Sequence, residues 1–120
     1  MTTAYMIEIT DRLMPNDYTS EDKSRWLRQL EEQIWQEIFL THEDPDRPEA
    51  PDASSCDLLI PDLFAEEVYV PFLQARIAWE NQEDAKYNRY STAFNDGYLR
   101  FARWYNERHK PLPKREFWRF

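Results

Sequence analysis

KYNRYSTAFNDGYLRFARWYNERHK, residues Lys86 to Lys110, decides the fold. It places large rings at Tyr87, Tyr90, Phe94, Tyr98, Phe101 and Tyr105. They recur every three or four residues, the spacing of one face of an α-helix. Asn, Arg, Lys and Glu fill most of the other positions. A long helix with this stripe must pack against something, either the rest of a small bundle or a neighbouring copy. The sequence supplies an internal partner upstream, so most of the rings are expected in the core. Gly97, the only glycine of the chain, falls inside this helix. It costs about 1 kcal/mol relative to Ala there, which is tolerable if another backbone or a ring packs close.

The preceding segment, Asp62 to about Asn81, reads as a helix that Asp62 can cap. Val68, Phe72, Leu73, Ile77 and Trp79 are expected to face inward. Pro71 lies inside it and is expected to kink or split it, since proline removes a backbone hydrogen bond. The short break at Gln82–Asp84 makes the two helices antiparallel neighbours. Further upstream, residues 43–57, EDPDRPEAPDASSCD, read as an exposed acidic loop. Leu58, Leu59 and Ile60 then return the chain to the core as a short extended piece.

A helix from Thr19 or Ser20 to about His42 carries an inner stripe of Leu27, Leu30, Ile34 and Ile38, widened by Trp26, Trp35 and Phe39. The first helix, about Thr3 to Met14, is expected to bury Met6, Ile9 and Leu13 before Pro15 stops it. After Lys110 comes PLPKREFWRF, residues 111–120, an extended arm with three rings near its tip. Such an arm folds back on its own bundle or docks on a neighbour. The expected architecture is all-α: a small antiparallel bundle of about four helices over residues 1–110, a long acidic loop and a C-terminal arm.

Composition supports this. Of 120 residues, 42% are hydrophobic and 16% aromatic, enough for one core. A single glycine leaves few positive-φ turns for hairpins, which disfavours a β fold. No apolar run could span a bilayer, and MTTAYMIEITDRL does not have the basic-then-apolar order of a signal peptide. One cysteine, Cys56, rules out an intrachain disulfide and reads as a small loop residue. Net charge is −8, but unevenly spread. Residues 1–67 carry 17 acids and 5 bases, and residues 68–120 carry 6 acids and 10 bases. Either the two sets mingle on folding, the expected outcome, or they stay apart and suit head-to-tail association.

Catalytic signals are weak. There is no phosphate loop, HExxH, CxxC or GxSxG. His42 and His109 each close a helix, where the dipole favours a cation. The loop acids Glu43, Asp44, Asp46, Glu49, Asp52 and Asp57 do not have EF-hand spacing and read as solvated. The glutamates of helices two and three, including Glu31 and Glu37, include no Glu-x-x-His pair for a di-metal site. No enzyme, metal or cofactor is expected. Arg100, Arg103 and Arg108 interleave with aromatics, and Lys114, Arg115, Phe117, Trp118, Arg119 and Phe120 follow. At net −8 this mixture points to a protein interface before single-stranded nucleic acid.

Two blocks together carry a resemblance: LMPNDYTSEDKSRWLRQLEEQIWQEIFLTHE, residues 13–43, and LLIPDLFAEEVYVPFLQARIAWENQEDAKYNRYSTAFNDGYLRFARWYNERHKP, residues 58–111. The Pro-Asn turn, RWL, the helix ending in TH, LLIP and the YN…FN…WYN final helix resemble small proteins of tailed phages and prophages of Gram-positive bacteria. WYNERH stands where that group has a WYNRTH-like end, and Pro71 where an unbroken helix is expected. The group looks like the all-helical head–tail connector (adaptor) proteins. The resemblance implies a virion-neck structural protein, assembled in the host cytoplasm as a homo-oligomeric ring, with a dodecamer as the candidate stoichiometry. It would extend the DNA channel between the portal and a tail-side neck protein. No catalytic residue, membrane contact or sequence-specific nucleic acid is implied. The leading alternative from composition is a small acidic helical regulatory or binding protein, such as a DNA mimic.

Overall fold

A computed structural model describes residues 1–51 and 57–112. Four α-helices account for most of them: α1 (Thr3–Leu13), α2 (Ser20–Glu37), α3 (Asp62–Glu80) and α4 (Asp84–Arg108). A 3₁₀ turn, Phe39–Thr41, extends α2, so the second helix ends as α-helix four or five residues earlier than its apolar pattern suggests. The fold is an all-α bundle. Leu58–Ile60 form no strand, and the nearest pairing is an isolated bridge between Thr2 and Asp57.

Local chemistry explains the helix starts. The Thr2 hydroxyl accepts the Tyr5 N–H at 3.2 Å, and the Thr19 hydroxyl accepts the Asp22 N–H at 3.1 Å. Each thus satisfies a donor that a helix N-terminus leaves free. Asp62 does not cap α3. Pro61 holds the cap position, and the Asp62 carboxylate takes the Met1 ammonium at 2.6 Å. Between α1 and α2 the Pro15–Tyr18 turn is fixed by Asn16, whose amide donates to Asp11 (2.9 Å) while its oxygen accepts the Tyr18 N–H (3.1 Å). The buried Lys23 ammonium reaches Asp11 at 2.6 Å and the Asn16 oxygen at 3.1 Å. A lysine that first-turn position suggests is solvated is instead the tie between the first two helices.

α3 is the centre of the molecule. Among the described elements it packs against α1, α2 and α4, whereas α4 packs on α3 and, near its C-terminal end, on Phe39 of the 3₁₀ turn. The α2 stripe Leu27, Leu30, Ile34 and Ile38 is buried as expected, with Trp26 and Phe39. The α1 face is rotated from the expected one. Met6, Ile7 and Thr10 are buried, Ile9 is half-buried and Leu13 is exposed. Thr10 fits the core because its hydroxyl donates to the Met6 carbonyl at 2.8 Å. On α3, Val68, Leu73 and Ile77 face inward as expected. Phe72 is half-buried, and Trp79 is 60% exposed, against expectation. Tyr69, not singled out in advance, is fully buried.

The α3–α4 turn closes as a Schellman motif. The Glu83 N–H donates to the Ala78 carbonyl and the Gln82 N–H to the Trp79 carbonyl, with Gln82 at φ 59°. One continuous helix then runs through Pro71, so the proline neither ends nor divides it. Pro71 cannot donate the N–H that the Glu67 carbonyl would accept four residues earlier in an α-helix. α4 comes close to α3 at this freed carbonyl. A Cβ on Gly97 would lie 2.3 Å from the Glu67 oxygen, so only glycine permits this approach. Proline and glycine thus meet at one crossing point.

The molecule is elongated, 49 × 30 × 24 Å. The α4 stripe is split accordingly. Phe101 and Tyr105 are buried among Phe39, Phe64 and Trp104, but Tyr87, Tyr90, Phe94 and Tyr98 are only half-buried. Phe94 and Tyr98 still pack against the core, whereas Tyr87 and Tyr90 stand outside it. The upstream half of α4 has α3 beneath it and no second helix beside it.

Candidate interaction surface

Three features of α4 and its surroundings are candidates for an interaction surface. The first is an aromatic groove between α3 and the upstream half of α4, a depression of about 410 Å³. Trp79 and Tyr87 pack with ring centres 5.2 Å apart, Phe72 and Phe94 5.6 Å apart, and Phe94 and Tyr98 5.6 Å apart. At its edge the Arg76 guanidinium lies 5.0 Å over the Trp26 ring and pairs with Glu80 at 3.0 Å. Helices α2 and α4 do not pack on each other. One bond spans the gap, from the Tyr98 hydroxyl to the Glu37 carboxylate at 2.7 Å. Partial burial and that carboxylate push the Tyr98 hydroxyl's pKa up, which keeps it a neutral donor.

The second feature is the basic flank. Arg100, Arg103 and Arg108 are all exposed. Arg100 and Arg103 share a face with the exposed Leu99. Arg108 is about 140° around the helix from Arg103 and lies 4.7 Å over Trp104. Arg100 pairs with Glu67 at 2.9 Å. Among the described residues this is the one Lys/Arg–carboxylate bridge that joins the two oppositely charged parts of the chain. Arg12–Glu8, Lys23–Asp11 and Arg25–Asp22 lie within the acidic part, and Arg76–Glu80 and Lys86–Glu83 within the basic part. Among the described residues, Lys/Arg–carboxylate pairing thus joins the two charge sets at one point. Lys114, Arg115, Phe117, Trp118, Arg119 and Phe120 lie outside the described residues, as does Cys56.

The third feature is the anchor of the C-terminal arm. His42 and Pro111 form an antiparallel bridge. The Glu43 N–H donates to the Lys110 carbonyl and the Leu112 N–H to the Thr41 carbonyl, both at 2.8 Å. Below this bridge the two histidines, distant in sequence, meet around Tyr105. Its hydroxyl donates to Asp44 at 2.8 Å, its ring stacks on His109 at 4.0 Å, and His42 meets it edge-on at 5.1 Å. Each histidine also reaches a carbonyl of its own helix end, His42 that of Ile38 at 2.8 Å and His109 that of Tyr105 at 3.1 Å. Capping accounts for both, and together with Asp44 they clasp the start of the acidic loop to the end of α4.

A buried acid lies away from these features. Glu31 accepts the Leu59 N–H at 2.8 Å and the Tyr69 hydroxyl, which itself accepts the Ile60 N–H at 3.1 Å. Desolvation raises the Glu31 pKa, partly offset by those two donors. Burial, then the neighbouring carboxylate, raises that of Tyr69 strongly. The triad holds the 59–60 segment against α2 and α3. No residue count or periodicity marks it, because Glu31 and Tyr69 are 38 positions apart. A cavity of about 650 Å³ between α1 and α2 is lined by Ile7, Asp11, Leu27 and Glu31 among others, with no His or Cys among its described lining residues. Among the described residues no group of three His, Cys, Asp or Glu side chains is arranged to hold a metal. None of their helices is long and apolar enough to cross a membrane. Comparison with protein families, with curated proteins and with solved structures finds no match.

Proposed function

We propose that this protein is a non-catalytic assembly protein of a tailed phage, a head–tail connector that forms a homo-oligomeric ring under the portal and lengthens the DNA channel. The observation that carries the reading is the charge separation. Acidic α1, α2 and the 43–49 loop belong to one part of the chain, the Arg-bearing α4 to the other, and among the described residues Arg100–Glu67 is the one Lys/Arg–carboxylate pair between them. Unlike, complementary surfaces suit heterologous association, which closes into a ring when the rotation between copies permits it. The resemblance of residues 13–43 and 58–111 to phage proteins supplies the biological setting. Net charge of −8 suits a channel wall along which DNA slides without being held.

Native mass spectrometry of the purified chain, alone and with purified portal protein, tests this. Rings on the portal are expected. Arg100→Glu with Arg103→Glu should weaken assembly at least about tenfold, with helicity unchanged and with assembly more salt-sensitive in the wild type. A chain that stays monomeric and ignores the portal, while capturing a nuclease or repressor, would replace the connector with the acidic binding protein.

A further inference from the structure

We propose that the groove formed by Phe72, Trp79, Tyr87 and Phe94 is the seat of the chain's own C-terminal arm, residues 113–120. The groove holds four half-exposed to exposed rings that no described residue covers. Rings left in water at such a density mark a binding surface.

The anchor sets the direction of the arm. The Leu112 N–H donates to the Thr41 carbonyl beside the antiparallel His42–Pro111 bridge, and this antiparallel register points the chain at Leu112 back toward Leu40 and Glu37. Glu37 is bonded to Tyr98, one turn of α4 from Phe94. The path therefore leads from the anchor into the gap between α2 and α4 and onto the groove.

Length and chemistry agree with this path. Five extended residues from Leu112 to Phe117 span about 17 Å. The helical steps from Thr41 to Glu37 and from Tyr98 to Phe94 are about 6 Å each. Phe117 and Trp118 thus come level with the groove. Lys114 and Arg115 pass the exposed Glu37 carboxylate on the way. Pro111 and Pro113 favour the extended backbone that such a strap needs and limit what it loses on docking. Tethering at Leu112 makes the contact intramolecular, at an effective concentration that a free copy does not match. The contact holds whether or not the chain forms a ring.

The test uses the full chain with 5-fluorotryptophan at its five Trp positions, the Trp118 signal being assigned with Trp118→Phe. The Trp118 fluorine is expected to be shielded from solvent, and to stay so through roughly a hundredfold dilution of a monomeric sample. Trp79→Ala removes the exposed wall of the groove, and Asn95→Arg sets a cation at its rim against the basic arm. Each should move the Trp118 signal to its solvent-exposed position. Both sites are exposed, so the bundle persists, and the signals of Trp26, Trp35 and Trp104, present in both variants, report that. Three results overturn the proposal: Trp118 exposed in the unaltered chain, shielding lost on dilution (a second copy supplies the arm), or shielding that neither variant disturbs (the arm lies elsewhere).

Discussion

The two ends of α3 treat polar and aromatic groups in opposite ways. At its first half, against α1 and α2, a carboxylate, a phenol and two backbone amides are taken out of water and satisfied by one another. At its second half, against α4, the rings of Tyr87, Tyr90, Phe94 and Tyr98 remain in partial contact with water, and their polar bonds are two surface ones, Tyr98 to Glu37 and Arg89 to Tyr90. Buried polar groups are costly unless paired and fix one arrangement when they are. Half-exposed rings gain more by being covered. Uniqueness of the fold therefore resides mainly in the first region and the capacity to bind in the second.

The sharpest way to break this contrast is at the crossing point between the regions. Gly97→Ala would ordinarily gain about 1 kcal/mol in a helix. Here the added carbon meets a backbone oxygen at 2.3 Å, so α4 must lift from α3. A net loss of about 3 kcal/mol is expected in urea unfolding. A neutral or stabilising effect would mean that α4 shifts on α3 at no cost.

Next in size is Tyr69→Phe, which takes one donor from the buried Glu31 and leaves the Ile60 N–H unpaired. A loss of about 2 kcal/mol is expected near neutral pH. The pH dependence carries the sign. The folded-state pKa of Glu31 is raised, so its contribution is fully present below the ordinary carboxylate pKa and is lost as pH rises through the folded value. Removing the Tyr69 donor raises that value further. The deficit of the variant should therefore be larger at about pH 8 than at about pH 5. A deficit independent of pH would show that the carboxylate does not depend on Tyr69.

How much of this could be read from residues alone divides along the same line. The α2 stripe, the antiparallel α3–α4 pair and the Thr19 cap follow from periodicity and capping chemistry, which are local. The close backbone approach at Gly97 was legible as a condition, because glycine inside a good helix needs a reason. Which rings of the α4 stripe are buried was not legible. Spacing shows that Tyr87 and Phe101 share a face, but how far neighbouring helices extend along that face depends on how the elements stack. Glu31, Tyr69 and Lys23 were missed for the same reason. Their partners lie on other elements, and a buried Glu or Lys looks like a surface residue until those elements meet. The clasp of His42, Asp44, Tyr105 and His109 was half legible: the capping positions were marked by sequence, their meeting was not.

The smallest expected effect concerns the hairpin turn and tests where glycine is needed. The chain has one glycine, and its described residues have two places that favour it. It occupies the crossing with Glu67, while the positive-φ position of the turn is given to Gln82. A non-glycine residue in the left-handed region costs about 1 kcal/mol, whereas a Cβ at the crossing cannot be accommodated without moving backbone. The assignment thus follows the larger penalty. Gln82→Gly relieves the left-handed strain but loosens the unfolded chain, which returns part of the gain. The net expectation is a stabilisation of about 0.5 kcal/mol, read as a small rise in the urea midpoint with an unchanged slope. A lower midpoint would mean that the Gln82 side chain contributes to the hairpin more than its backbone conformation costs. The second region would then be held at its tip as well as at Gly97.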